Sequence, residues 1–122
     1  MFFLLSILSA YFIYFFIAFI VGISAFWWTD VTGLFYLENT FVSLCSGLLI
    51  PLNFFPNYLY TIIKFTPFYY VIFFPTQLFL GNLNYIQIIG GFSFQFLWII
   101  ILSKISSIIL KAGLVKYEAA GG

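Results

Sequence analysis

Residues 51–84 read PLNFFPNYLY TIIKFTPFYY VIFFPTQLFL GNLN, and they hold all four prolines of the chain and four of its five asparagines. Pro56 and Pro67 each suit the first turn of a short helix, where a backbone N–H has no helical partner to lose. Thr66 suits the cap of the second helix. A helix over 56–65 is about 15 Å long and one over 67–80 about 21 Å, so neither crosses a hydrocarbon core of about 30 Å. Pro75 is expected to kink the second helix, and Gly81-Asn82 to stop it. Two short helices that enter one leaflet and turn back fit this punctuation better than a full crossing. Their irregular backbone then needs protein cover, because lipid offers no hydrogen bonds.

Upstream, Met1 to Thr29 carries no acidic or basic side chain. As a helix that run is about 40 Å long, more than a bilayer core requires. A secretory signal would show a basic start and a shorter apolar stretch. Residues 3–28 therefore read as a spanning helix with Trp27 and Trp28 at the interface. Thr29-Asp30-Val31-Thr32-Gly33 is a tight connection in which Asp30 or Thr32 caps the next helix, expected over 34–50 and ending before Pro51. Glu38 falls in its first turns, as a solvated helix-end charge or a partner for a cation on another segment. Ser43 and Gly47 form a small-xxx-small pair that lets helices approach, and Cys45 is a small apolar filler.

Downstream, the last apolar run spans 85–110, with Lys104 in its final third and a tail over 111–122 carrying Lys111 and Lys116. Gln87, Gly91, Gln95 and Trp98 share one helical stripe, which turns Gln95 toward other helices or a polar path. Three lysines at this end place the C-terminus in the cytoplasm, and Lys64 is the one positive charge outside. The expectation is an all-α integral membrane protein of one domain. It has three transmembrane helices (3–28, 34–50 and 85–110) and an external re-entrant pair (56–65 and 67–80), in the cell membrane.

Composition supports a lipid environment. Of the 122 residues 65% are hydrophobic, 25% aromatic and only 6% charged, against about 25% charged in soluble domains. The mean hydropathy is +1.19. With no His, the Ser-His-Asp and Cys-His nucleophile pairs are excluded, as are His-ligated metals. One Cys excludes an internal disulfide, and Asp30, Glu38 and Glu118 are too scattered for a metal cage. No basic patch invites nucleic acid, and no Gly-x-x-x-x-Gly-Lys-Ser/Thr loop holds ATP. No cofactor is implied.

Ser46-Gly47-Leu48-Leu49-Ile50-Pro51-Leu52-Asn53-Phe54-Phe55-Pro56, then Asn57 to Ile63, then Thr66-Pro67-Phe68-Tyr69-Tyr70, resembles the membrane subunits of type-2 ATP-binding-cassette (ABC) exporters. There a helix ending in a Ser-Gly run and a proline leads into an external re-entrant pair. A Phe-Pro step opens the first short helix and a Pro-aromatic step the second. Phe74-Pro75-Thr76-Gln77-Leu78-Phe79-Leu80-Gly81 is similar to the close of the pair in the bacterial branch. The tail from Lys111 to Gly122 is similar to the Gly-rich cytoplasmic ends of these permeases. The resemblance covers roughly residues 26–122.

It implies that the chain corresponds to the fourth and fifth helices, the re-entrant pair and the sixth helix of a six-helix permease. The first three helices, with the main coupling helix that docks on the ATPase, have no counterpart in the sequence. The implied partners are an ABC ATPase subunit, a second permease subunit or the missing N-terminal half, and membrane lipid. Gly47, Pro51, Pro56, Pro67 and Gly81 would shape the outer gate. A path walled by Phe, Tyr and Leu favours an apolar or amphiphilic cargo. A small non-transporting scaffold or regulatory subunit is the alternative that composition equally allows. A membrane enzyme would need an acid–base pair that the chain does not offer.

Overall fold

The first apolar run folds as α1 (Phe2–Ile23), extended by a 3-10 turn over Ser24–Phe26, in a computed structural model that describes residues 1–121. Ser6, Ser9, Ala10, Ile13 and Ile17 are buried at intervals of three or four residues, while Leu4, Leu8, Tyr11 and Phe15 on the other faces stay exposed. The small residues of the first half let neighbours approach α1 closely.

After a short connection α2 runs over Thr32–Cys45. Asp30 Oδ1 accepts the Thr32 N–H at 2.9 Å, satisfying a donor that the first turn leaves open. Hydrogen bonds from the Thr32 side chain, and then from its backbone, hold the Asp30 carboxyl below the usual carboxylate range. The helix ends at Cys45 rather than at Ile50, and the cause is Gly47. Its φ is +82°, a left-handed turn that only glycine adopts freely. Leu48 N–H donates to the Ser43 carbonyl at 3.1 Å and Gly47 N–H to the Leu44 carbonyl at 3.4 Å. That double closure is a Schellman stop. Gly47 thus lies beyond the helix and does not stack with Ser43 on one helical face.

A 3-10 turn over Leu52–Phe54 leads to α3 (Asn57–Phe65), a second 3-10 turn over Pro67–Tyr70 and α4 (Phe73–Leu80). The single kinked helix expected over 67–80 is therefore two pieces. Pro75 is the third residue of α4, inside the first turn, where its missing N–H breaks no bond and produces no kink. Thr66 does not cap the second piece with its side chain. Its Oγ1 donates back to the Ile63 carbonyl at 2.6 Å and closes α3 instead. Gly81, with φ +72°, ends α4 by the same device as Gly47. Gly81 N–H donates to the Leu78 carbonyl and Asn82 N–H to the Gln77 carbonyl, each at 3.2 Å.

The last helix, α5, covers Tyr85–Gly121. At its start the Gln87 Oε1 accepts the Asn84 N–H at 2.9 Å, one half of a capping box. Its 37 residues make about 55 Å of helix, well past the expected end at Leu110. Between Lys111 and Ala120 there is no proline, and Ala, Leu, Lys and Glu favour continuation. Gly122, the end of the expected tail, lies outside the described residues.

α1 and α5 run parallel. The Phe2 ring lies 6.2 Å from Phe92, and at the other end Phe26 lies 6.1 Å from Tyr117 and Lys116 Nζ 5.9 Å from the Trp27 ring centre. Gly113 lets the Phe26 ring sit against the α5 backbone, where a Cβ would collide with it. Ile13, Ile17, Cys45, Leu52, Tyr69, Tyr70, Phe74 and Leu102 form the core between the elements. The described residues are all-helical without a strand, and two helices, α1 with its 3-10 extension and α5, are long and apolar enough to cross a membrane. α2, about 21 Å long, is shorter than the hydrocarbon core.

Candidate functional site

The proline-punctuated segment packs between the N-terminal halves of α1 and α5, and its aromatic contacts trace a hairpin. At the bottom, Phe65 lies 5.8 Å from Phe94, and Tyr70 stacks on Phe94 at 5.6 Å and 8°. Higher, Phe74 meets Phe92 edge-on at 5.8 Å. At the top, Phe79 lies 5.0 Å from Phe3 at the start of α1. The chain thus descends along α3, turns at Pro67–Tyr70 and climbs back along α4 to the level at which α5 begins. Gly91 makes the climb possible, because a Cβ there would occupy the space of the Phe74 ring.

The turn at the bottom has broken helical bonding, and Gln95 answers it. The side chain is fully buried, and Nε2 donates to the Tyr70 carbonyl at 3.2 Å, the Ser6 carbonyl at 3.1 Å and Ser6 Oγ at 3.2 Å. Two N–H groups serve three acceptors, so one of them is shared. A single amide thereby ties α1, α5 and the turn. Gln95 is ten residues beyond Tyr85, so the clasp lies about 15 Å along α5, half the depth of a bilayer core. Gln95 Oε1 and Trp98 Nε1 on the same stripe are buried without a hydrogen-bond partner.

Glu38 is not a solvated helix-end charge. It is 5% exposed and its Oε1 has no partner. It shares the buried stripe of α2 with Val42 and Cys45, one and two turns further on. The other residues singled out in the sequence do not converge on one point. Gly47 lies near Leu52 and Phe73, each about an ordinary contact from where a Cβ would stand, whereas Gly81 faces open space. Pro51 precedes the Leu52–Phe54 turn, Pro56 directly precedes α3, and Pro67 opens the turn that Gln95 clasps. All five set where the chain bends.

A family model described as ABC-2 family transporter protein matches residues 1–121. The chain belongs to this family. The match takes in the whole of α1, further toward the N-terminus than the resemblance carried by the proline-rich stretch. No curated protein and no solved structure gives a significant match. An ABC-2 transporter protein is a membrane permease component that works with an ABC ATPase, not itself the ATPase.

Within this ABC-2 chain, the sequence did not single out Ser6, Tyr69 or Tyr70 as site residues. Ser6 opens the buried three-and-four stripe of α1, a periodicity hidden by apolar residues on every face. Tyr69 and Tyr70 follow Pro67 in a stretch where aromatics occur throughout, so nothing in the pattern marked these two for burial at 4% and 2% exposure.

Proposed function

We propose that this chain supplies the second half of an ABC-2 exporter permease subunit, with α3, the Pro67–Tyr70 turn and α4 as a re-entrant hairpin that closes the outer exit. The observation that carries the reading is the hairpin clasped by Gln95 between the parallel α1 and α5, about 15 Å along α5. Parallel α1 and α5 require the chain between them to return to the end where α1 starts. α2 with the Ser46–Ile50 turn makes that return, giving three crossings in all. Lys104, Lys111 and Lys116 favour a cytoplasmic C-terminal end of α5 in a cell-membrane protein. Asn57 and Gly81 then face outside.

Energy comes from a separate ATPase, and a second permease subunit or the N-terminal half of the permease completes the path. The mostly apolar groove of about 740 Å³ between α1 and α5, lined by Leu5, Phe12, Phe16 and Ile99, offers a face for such helices or for lipid. The aromatic walls suit an apolar or amphiphilic cargo. The same groove favours the alternative, a scaffold that packs on larger membrane proteins and moves nothing.

Affinity purification of the chain from its native membrane discriminates the two. Transport predicts a co-purifying ABC ATPase whose turnover rises with lipophilic compounds. An ATPase-free homo-oligomer would contradict it.

A further inference from the structure

Lys64 is the only charged residue between Glu38 and Lys104, and it stands at a hollow built by the hairpin and α5 alone. The hollow measures about 210 Å³, and Tyr60, Tyr69, Tyr70 and Gln87 line it together with Lys64. A second hollow of about 360 Å³ adjoins it, sharing Tyr60, Lys64, Tyr70 and Phe94 and adding Phe65. The Lys64 ammonium and the Tyr60 and Tyr70 phenols border both hollows beside the Phe94 ring, with Tyr69 and Gln87 on the smaller hollow and Phe65 on the larger. Asp30 and Glu38 lie outside the hairpin and α5, and Glu118 stands 24 residues, about 36 Å, further along α5 than Phe94, so no acidic side chain lines the hollow. An ammonium at the mouth of an aromatic hollow draws anions, and phenol hydroxyls donate to the same oxygens. A cationic ligand, which the aromatic rings alone would tolerate, is repelled by Lys64.

We propose that this hollow binds the acidic head of an amphiphile. Lys64 and the tyrosine hydroxyls hold the anionic oxygens, and Phe65 and Phe94 take the first carbons of the tail. The site names the substrate class of the exporter reading and rests on it, since the hairpin then opens to the outer leaflet.

The test uses the chain in phosphatidylcholine nanodiscs with an alkyl phosphate carrying a photoactivatable diazirine near its head. Cross-linked peptides are mapped by mass spectrometry and competed with dodecyl phosphate. Adducts are expected on the peptides containing Phe65 and Phe94, with saturable competition. Lys64→Gln, at an exposed position, should raise the half-competing concentration about tenfold, and Lys64→Arg should restore it. Dodecanol tests the tail without charge, and inorganic phosphate tests the head without tail; each should compete at least about tenfold less well. Equal competition by dodecanol, an unchanged curve for Lys64→Gln, or adducts confined to other helices would overturn the site. Inorganic phosphate competing as well as dodecyl phosphate would overturn the amphiphile. A normal result here without a co-purifying ATPase would sink only the permease reading, and the reverse would sink only the site.

Discussion

At the scale of single residues, the hairpin depends on hydrogen bonds made by one amide. Replacing Gln95 by Leu keeps the volume but takes the donor from the Tyr70 carbonyl and the second donor from the Ser6 carbonyl, which keeps its bond within α1. Interhelical hydrogen bonds in membranes are worth about 0.6–1.7 kcal/mol, and leaving a buried acceptor unpaired costs about 1–3 kcal/mol. Gln95→Leu is expected to lower stability by about 1–2 kcal/mol in SDS titration of mixed micelles. Ser6→Ala removes only the hydroxyl acceptor and should cost clearly less. Equal losses, or none for Gln95→Leu, would remove the clasp from the account. The stripe that carries Gln95 was legible from spacing alone, because Gln87, Gly91, Gln95 and Trp98 recur at helical intervals. Its partners were not. A hydrogen bond between Gln95 and Ser6 joins positions 89 apart in sequence, and no local pattern records it.

At the scale of elements, two glycines decide where helices stop. Gly81 was readable because Asn82 follows it and the apolar pattern ends there. Gly47 is harder to read, since it sits in an apolar run, Leu44 to Ile50, that only Ser46-Gly47 interrupts. Spacing from Ser43 suggested a packing pair, whereas the backbone uses the glycine for its positive φ. Similarly, Pro75 signalled a kink only so long as the helix was taken to begin at Pro67. Once α4 starts at Phe73 the proline is harmless. Gly47→Ala should therefore cost about 1–2 kcal/mol from the left-handed backbone, although its Cβ would meet only ordinary contacts. Gly22→Ala in α1 meets nothing within 4 Å and should be neutral or stabilising, which makes it the control. The same SDS titration reads both. A neutral Gly47→Ala would mean that α2 can run on toward Ile50 after all.

At the scale of the molecule, composition and the long apolar runs at each end were enough to place the chain in lipid and to mark α1 and α5. The number of crossings is harder to read from sequence, because α2 stops short of a full bilayer depth and the return path includes an irregular turn. What argues for an odd number is the parallel pairing of α1 with α5, with the proline-rich segment folded back between them. The most direct measurement is cysteine accessibility. With Cys45 replaced, single cysteines at Asn57 and Tyr117, both exposed, are treated with a membrane-impermeant maleimide on intact cells and again after permeabilisation. The re-entrant account predicts labelling of Asn57→Cys from outside and of Tyr117→Cys only after permeabilisation. Labelling of both from the same face would make the proline-rich segment a true crossing and contradict it.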